Sequence, residues 1–323
     1  MPRISFIMPA YKSAFIKQAI DSVVSQISSD WELVVVDDAS PEGLEDIVAP
    51  YCEKFANVRY YRNENNIGGT NLVNQWNHCL QYAEGDWVVM AGDDDVYDPH
   101  FCEECQNLIE KYPDVNLVRS RVLQIDDKGK ALYNDGEPSE YVNKYGYLYD
   151  WLTAKIFTCV GNYVFRKSSL TEMGGFMDFP CAFCSDIATP IALSVNGVAN
   201  TKDMLFSFRH SSIHLSGDNS KLREKIMATT QLYLWLDKQV ANSYKTIETE
   251  EQKGVIDSAY IHAKCIYDYY NHGVRYAPYS EYLRYLQLCT NANWYEKCIM
   301  VLRSIKRSIA SVIRGFRASC QIM

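Results

Sequence analysis

The sequence lacks the features of several common classes of protein. None of its apolar runs approaches the roughly 18 residues that a membrane-spanning helix needs. It lacks a basic excess as well: the net charge is −8 and the pI is about 5.3, so we expect no nucleic-acid partner. Met1-Pro-Arg leads directly into a strand pattern instead of a signal peptide, which predicts a cytoplasmic protein.

Two nucleotide-binding motifs are also missing. No GxGxxG follows the first predicted strand, and no GxxxxGK followed by Ser or Thr occurs anywhere, which argues against a dehydrogenase and a P-loop NTPase. Residues 8–13 contain no glycine, so the glycine-rich phosphate loop of a nucleotidyltransferase is absent too. A nucleotidyltransferase stays an alternative, because such enzymes also combine an α/β sheet with paired aspartates and a metal.

Eleven cysteines are scattered along the chain, and without an export signal we expect them to be reduced thiols. Two Cys-x-x-Cys pairs occur, Cys102 with Cys105 and Cys181 with Cys184, and four cysteines together can bind zinc. The pairs are far apart in sequence and the first lies in a helical pattern. Packed thiols are therefore the favoured interpretation.

The strand and helix patterns indicate an α/β fold. Residues 3–91 alternate between short buried-strand patterns and helical patterns, which predicts a parallel sheet with right-handed crossovers. A polar, tyrosine-rich segment at residues 126–149 is predicted to be a long loop. From about residue 221 the patterns are helical, including one predicted helix at residues 246–268. We therefore predict an α/β domain over residues 1–220 and a helical region over residues 221–323.

Three consecutive aspartates, Asp93, Asp94 and Asp95, follow a buried-strand pattern at residues 87–91. Ligands of open α/β sheets bind at this carboxyl edge. Adjacent carboxylates repel one another, so a buried group of them favours a bound cation such as Mg²⁺ or Mn²⁺, which also takes ligand phosphates. The alternative is a solvated acidic loop, because most runs of charge are exposed.

Polar residues also follow the other predicted strands. Tyr11 can stack on a base, and Asp38 can accept the imide N–H of uracil. Alternatively, Tyr11 is a packing residue and Asp38 caps the next helix. Asp186 lies near the start of a predicted helix at residues 183–194, where a carboxylate is favoured by the helix dipole whether or not it has another role.

Four motifs in this order resemble those of the family 2 inverting glycosyltransferases with the GT-A fold. They are Ile7-Met8-Pro9-Ala10-Tyr11, Val36-Asp37-Asp38-Ala39-Ser40, Gly92-Asp93-Asp94-Asp95 with Asp98-Pro99, and Gly174-Gly175-Phe176 followed by Ser185-Asp186. The resemblance covers about residues 3–216. It implies a Rossmann-like, mostly parallel sheet and transfer of a sugar from a nucleotide-sugar donor, usually a UDP-sugar, with Mn²⁺ or Mg²⁺.

The resemblance also implies roles for residues on the donor side. The edge at Pro9 and Tyr11, together with Asp38, would hold the base. The family's usual Asp-x-Asp-Asp aligns with residues 92–95, so Asp94 would coordinate the metal, with Asp95 as a second candidate, and Asp93 would face the ribose. His214, after the last predicted strand, is a further candidate for a metal or phosphate contact.

On the acceptor side, the resemblance makes Asp186 the general base that takes the proton of the attacking hydroxyl. The family's preceding glutamate is Ser185 here, which puts an acceptor contact in doubt and keeps a non-catalytic nucleotide-sugar-binding module as an alternative. The implied acceptor is a saccharide or a lipid-linked saccharide. Inversion requires this acceptor to attack from the face opposite the leaving diphosphate.

Residues 297–323 contain six basic residues and no acidic residue, and their apolar residues recur at helical spacing. A basic amphipathic helix of this kind can lie in an anionic membrane surface, which predicts a peripheral anchor. The resemblance to the family implies that this surface is the inner face of a membrane. The alternative is that its apolar stripe packs on the catalytic domain.

Overall fold

The computed structural model describes residues 3–211, 219–240, 247 and 249–320. The chain divides into two compact units. The first comprises Met1–Gly217 with Thr246–Ile256, and the second comprises Asp218–Lys245 with Asp257–Met323. Within the described part of the chain, no helix combines the length and apolar character needed to cross a bilayer.

The first unit contains one mixed sheet. Its described strands are β1 (Ile4–Ala10), β2 (Trp31–Asp37), β3 (Val58–Arg62), β4 (Trp87–Met90), β5 (Val96–Tyr97), β6 (Leu117–Asp126), β7 (Ala131–Asn134), β8 (Tyr141–Val142), β9 (Tyr163–Arg166) and β10 (Val198–His210). The order is β3-β2-β1-β4-β9-β6-β10-β5, with β7 beside β6 and β8 beside β10.

The helices of the first unit are α1 (Ile16–Val24), α2 (Leu44–Lys54), α3 (Leu72–Cys79), α4 (Phe101–Lys111), α5 (Lys144–Leu152), α6 (Lys167–Glu172), α7 (Ser185–Leu193) and, later in the chain, α9 (Glu250–Val255). The second unit is helical where it is described. Its α-helices are α8 (Leu222–Val240), α10 (Ser258–His272), α11 (Tyr282–Leu288) and α12 (Trp294–Cys320).

The central strands β1, β2 and β4 are parallel and nearly fully buried, as their continuous apolar sequences predict. Ala10 pairs with Asp37, and Ile7 pairs with Met90, so the three strands end at the same edge of the sheet. The segments that follow these strands are therefore brought together, although they are far apart in sequence.

The main core lies between one face of the sheet and helices α1, α2 and α4. At its centre the buried ring of Tyr97 packs edge-on against Phe6 and Phe101, with ring centroids 5.0 and 4.8 Å apart. The Tyr97 hydroxyl donates to the carbonyl of Gly161 at 3.0 Å, so this phenol is buried without an unsatisfied polar group. The short strand β5, directly after the aspartates, is thus fixed by the core.

The predicted α/β class with a helical region after the sheet is confirmed, and two local predictions are wrong. Residues 126–149 do not form one long loop, because they contain β7, β8 and the start of α5. Helix α5 begins where the Asn143 side chain accepts a hydrogen bond from the N–H of Gly146, and it buries Tyr147 and Trp151. The loop was predicted because the segment is polar and rich in tyrosine, so the buried face of α5 was not recognised in the sequence.

The single helix predicted at residues 246–268 is also wrong. The structure has two helices, α9 and α10, and α10 starts where the Asp257 side chain accepts a hydrogen bond from the N–H of Tyr260 at 2.7 Å. Asp is a favoured N-cap because its carboxylate satisfies a free amide of the first turn. The Asp257 cap therefore starts a new helix within a stretch whose apolar spacing predicted one continuous helix.

Candidate active site

The end of β1 is tied directly to the acidic triplet, Asp93–Asp94–Asp95. The backbone N–H groups of Tyr11 and Lys12 both donate to Oδ2 of Asp93 at 3.0 Å. The Tyr11 carbonyl in turn accepts a hydrogen bond from the Ser40 hydroxyl at 2.6 Å, which links the segment after β2. The structure therefore brings together three of the four segments that the sequence motifs identified.

Arg209, near the end of β10, holds the backbone of the triplet. Its backbone N–H donates to Oδ1 of the buried Asp95 at 3.0 Å, and its Nε donates to the carbonyl oxygen of Asp94 at 2.8 Å. Its Nη1 donates to the carbonyls of Asp126 and Asp127, both at 3.2 Å. Sequence reasoning missed this residue, although its place at the end of a strand in the same sheet was a usable signal.

The carboxylates of the triplet destabilise one another's charged forms. Burial, followed by the negative charge of Asp93, raises the pKa of Asp94 to about 6, although Lys12 and Arg209 oppose the shift. Burial and then the charge of Asp94 raise the pKa of Asp95 well above its ordinary range. A bound cation would relieve this repulsion.

The donor set of the triplet fits a hard divalent cation. Among the described residues, no three His, Cys, Asp or Glu side chains form a ready-made metal site. Mg²⁺ is commonly held by one or two carboxylates together with substrate phosphates, and a triplet of carboxylates at a ligand-binding edge suits that mode. His214 lies outside the described residues.

Asp38 is buried and anchors the loop that follows β3. Its Oδ1 accepts hydrogen bonds from the backbone N–H of Ile67 and the Nδ2 of Asn63, both at 2.8 Å, and its Oδ2 accepts one from the N–H of Gly68 at 2.7 Å. A Cβ at Gly68 would lie 2.9 Å from that oxygen, so the loop packs tightly on the carboxylate. We had not predicted this loop-holding role.

The other two residues predicted to contact the base lie at the same edge. Tyr11 follows β1 and is 39% exposed. Pro9 lies on β1 beside Val36 and is partly exposed. The base-binding roles of Tyr11, Pro9 and Asp38 stay predictions.

Asp186 lies in the first turn of α7, directly after a strained segment. Cys184 has a left-handed backbone with φ of 74°, and the buried Ser185 hydroxyl accepts a hydrogen bond from the N–H of Phe179 at 3.2 Å. Burial raises the pKa of Asp186 to about 7, although its own backbone N–H and that of Ile187 favour the charged form. A carboxylate that titrates near neutral pH is well matched to proton transfer.

The Gly174–Gly175–Phe176 turn fixes the start of the segment that leads to Asp186. Both glycines have φ of 93°, a left-handed conformation that favours glycine. The side chain of Asn77 on α3 accepts a hydrogen bond from the Phe176 N–H at 2.7 Å through its Oδ1. The Phe176 ring packs edge-on against Trp76, with centroids 5.6 Å apart.

Asp95 of the triplet and Asp186 both lie near one buried thiol, that of Cys159. Burial raises the pKa of Cys159 well above its ordinary range, and the negative charges of Asp95 and Asp186 add to the shift. The charges of Asp95 and Asp186 are therefore both felt at Cys159, which places the triplet and Asp186 in the same region of the first unit. Of the Cys-x-x-Cys pairs, Cys102 and Cys105 lie on α4, and Cys181 and Cys184 lie in the turn before α7.

The first unit, with carboxylates gathered at the carboxyl edge of its sheet, has the GT-A fold of nucleotide-sugar glycosyltransferases. The sequence model of the family described as Glycosyl transferase family 2 matches residues 5–174, more than half of the chain. The chain therefore belongs to glycosyltransferase family 2, which confirms the resemblance seen in the four motifs.

Curated relatives support the same family. The chain is 30% identical over 130 residues to the putative glycosyltransferase EpsE of Bacillus subtilis, covering 40% of this chain and 46% of that protein. It is 32% identical over 116 residues to an uncharacterized glycosyltransferase of Haemophilus influenzae, covering 36% and 37%. The alignments thus span less than half the length of these relatives.

Solved structures show the likeness of the fold. The S. aureus TarS 1-349 structure in complex with UDP-GlcNAc has a TM-score of 0.63 and 16% identity, over 97% of this chain and 92% of that one. The mannosyltransferase PcManGT of Pyrobaculum calidifontis, in complex with GDP-Man and Mn²⁺, has a TM-score of 0.55 and 17% identity, over 98% and 83%.

Proposed function

We propose that this chain is an inverting glycosyltransferase that moves a sugar from a nucleotide-sugar, most simply a UDP-sugar, to a hydroxyl of a saccharide or a lipid-linked saccharide. Residues 1–220 would form the catalytic domain, and residues 221–323 a helical region. The observation that carries the proposal is a carboxylate with a pKa near 7, Asp186, in the same unit as a repelling acidic triplet.

On the donor side, the edge at Pro9, Tyr11 and Asp38 would hold the base, and Asp93 would face the ribose. Asp93 is suited to this position because its carboxylate is already oriented by two backbone amides. Support for a nucleotide-sugar donor comes from the two structural neighbours, which were solved with UDP-GlcNAc and with GDP-Man.

Asp94 would hold a divalent cation, Mn²⁺ or Mg²⁺, with Asp95 and His214 as further candidate ligands. When bound, the cation supplies Lewis-acid stabilisation of negative charge on the leaving diphosphate. Asp95 is the less accessible carboxylate of the two, because it is buried and accepts a hydrogen bond from Arg209. The neighbour solved with GDP-Man and Mn²⁺ supports this part of the proposal.

On the acceptor side, Asp186 would take the proton of the attacking hydroxyl. As the new bond to the anomeric carbon forms, the bond from that carbon to the diphosphate oxygen breaks on the opposite face, and the configuration inverts. The nucleoside diphosphate leaves with the electron pair. Only an ionised Asp186 can accept the proton, and burial places its pKa within the working range of a general base. A lipid-linked acceptor would bring the enzyme to the cytoplasmic face of a membrane.

A non-catalytic nucleotide-sugar-binding module is the alternative that Ser185 favours, because serine replaces the carboxylate that the family usually has there. In the structure the Ser185 hydroxyl is buried and accepts a hydrogen bond from the Phe179 N–H, so it supports the loop. The retained Asp186 favours a catalyst over a binder.

The decisive experiment is a screen of UDP- and GDP-sugars by thermal shift, with and without Mn²⁺, followed by a nucleotide-release assay with the best donor. A ligand at a hundredfold excess over its dissociation constant stabilises the folded state by about 2.7 kcal/mol. Binding with release of nucleoside diphosphate supports the transferase. Binding without release, even with added saccharide acceptors, favours the binding module.

A further inference from the structure

Helix α12 uses one face to pack within the second unit. Met300 is buried, and its carbonyl accepts a hydrogen bond from the Tyr282 hydroxyl at 3.2 Å. The guanidinium groups of Arg303 and Arg307 each lie 5.8 Å from a tyrosine ring centre, those of Tyr270 and Tyr276. This packing fixes the rotation of the helix about its axis.

Between Tyr295 and Ile309, the opposite face of α12 is apolar and exposed. Tyr295 is 61% exposed, Leu302 64%, Ile305 48% and Ile309 56%, and Cys298 is also exposed. These five residues, called here the apolar stripe, recur at intervals of three and four and so lie on one side of the helix. Scattered exposed apolar residues are ordinary, but a continuous apolar stripe on one helix face indicates a surface that binds something.

The sequence around the apolar stripe is strongly basic. Residues 297–323 carry six positive charges and no negative charge, so subtracting them from the total of −8 leaves −14 on residues 1–296. Lys306 is exposed and follows Ile305 of the stripe directly. The stripe therefore lies in a segment whose charge opposes that of the rest of the chain.

We infer that the apolar stripe, with the exposed Lys306 beside it, forms a docking surface for an anionic lipid bilayer. An amphipathic helix with an apolar face and lysine or arginine on its polar face lies in the plane of the interface, with its apolar side chains among the headgroups and acyl chains. Anionic headgroups complement Lys306 and the net positive charge of the 297–323 segment. The apolar stripe includes none of the proposed catalytic residues, so the inference does not depend on the proposed reaction.

The charge also decides between a bilayer and a second copy of the chain as the occupant. Two stripes packed together would bring twelve positive charges of the two 297–323 segments close to one another, with no acidic residue in either segment to pair with them. Paired helices normally place complementary charges beside the apolar seam. An anionic surface has no such repulsion.

The test is sedimentation of the full chain with vesicles, using Leu302→Ser/Ile305→Ser as the stripe variant. Both side chains are exposed, so we expect the variant to fold normally. The matched control is Met227→Ser/Leu234→Ser, which removes two apolar side chains, 37% and 49% exposed, from one face of helix α8 in the same unit. Vesicles contain either phosphatidylcholine alone or phosphatidylcholine with phosphatidylglycerol.

We expect the unchanged chain and the α8 control to sediment with anionic vesicles at low salt, and to bind them less at high salt. The stripe variant should lose roughly tenfold or more in partitioning, because it loses apolar burial in the interface. Lys306→Glu should lose at least about fivefold, as expected for even one charge at an anionic surface.

Three results would overturn the inference. The first is that the unchanged chain stays in the supernatant at low salt. The second is that the stripe variant binds vesicles as well as the α8 control does. The third is a chain that does not bind vesicles but forms dimers in analytical ultracentrifugation that the stripe variant abolishes, which would make the stripe a contact between copies.

Discussion

Asp186 illustrates how one buried carboxylate can be both costly for folding and useful for chemistry. Its position at the start of α7 offers two backbone N–H groups to the charged form, but burial is the larger effect and raises its pKa to about 7. The same environment that favours a proton on this group at rest makes its ionised form a stronger base.

We expect Asp186→Asn to lower the rate of sugar transfer by about 10²–10⁴, because an amide cannot accept the hydroxyl proton. Donor binding should be unchanged, as measured by titration calorimetry with the nucleotide-sugar. In the unsubstituted chain, kcat should rise with pH through about 7 as Asp186 ionises. Asp203→Asn, at an exposed aspartate of β10, serves as the control. An equal loss of donor affinity in Asp186→Asn would place this carboxylate on the donor side.

The raised pKa of Asp186 also predicts a pH-dependent effect on stability. A carboxyl group whose pKa is higher in the folded state stabilises folding when protonated, and this contribution is lost as the pH rises through about 7. Asp186→Asn should therefore raise the free energy of unfolding above pH 8, by at most about 4 kcal/mol, and change it little near pH 4. Urea unfolding at both pH values checks this, and an equal effect at both would contradict it.

Substitution of Arg209 tests whether this residue supports metal binding by the triplet or only contributes to the stability of the fold. Arg209→Lys should cost about 1–3 kcal/mol, because a lysine cannot replace the forked donors to the Asp94, Asp126 and Asp127 carbonyls. It should also weaken the Mn²⁺ dependence of nucleotide binding. Arg121→Lys is the matched control, since Arg121 likewise donates to backbone carbonyls, those of Gly136 and Lys202, outside the triplet. Equal Mn²⁺ affinity in both variants would contradict the prediction.

At the scale of elements, the sequence was most informative where hydrophobic burial alone decides the structure. Strands β1, β2 and β4 were predicted because continuous apolar runs require burial on both faces. Helix α5 was missed, since its start depends on the Asn143 cap and its buried residues include the aromatic Tyr147 and Trp151 as well as leucines. Strands β5 and β9 run antiparallel to their neighbours, and this direction depends on contacts across the sheet.

The site shows the same limit. The motifs identified the four segments of the site, but they did not predict the hydrogen bonds that hold these segments in position. Asp38 bonds to Ile67 and Gly68, and Arg209 bonds to Asp95, each across a long stretch of chain. The position of Arg209 at a strand end could mark that residue in the sequence, but its partners and those of Asp38 have no local pattern, so only the fold reveals the pairs.

The Gly174–Gly175 turn provides a test at the scale of the segment before α7. A Cβ at Gly175 would lie 2.4 Å from Oδ1 of Asn77, whereas one at Gly174 would meet nothing within 4 Å, although both have φ of 93°. Gly174→Ala therefore reports backbone strain alone, at about 1 kcal/mol. Gly175→Ala should cost roughly 1–3 kcal/mol more, because it also displaces Asn77 from the Phe176 N–H. Thermal unfolding measures both, and equal losses would show that the contact with Asn77 is unimportant.

At the scale of the whole molecule, the cysteines give a prediction about metal content. Cys102 and Cys105 are buried on α4, where burial raises the pKa of both thiols. Since a thiolate is the form that binds zinc, we expect the purified chain to carry well under one zinc per molecule. Cys181→Ser/Cys184→Ser should leave the metal content, measured by plasma mass spectrometry, unchanged. Stoichiometric zinc that this double variant loses would revive the four-cysteine site.

The bonds from Asp38 have a consequence for engineering the chain. Two of the three donors are backbone amides, of Ile67 and Gly68, which every residue except proline provides. The side chain at position 67 can therefore be exchanged without loosening the loop from the sheet, whereas position 68 must stay glycine because of the 2.9 Å approach of Asp38. A library that varies position 67 and keeps Asp38, Asn63 and Gly68 would alter the surface of this loop while its anchor stays in place.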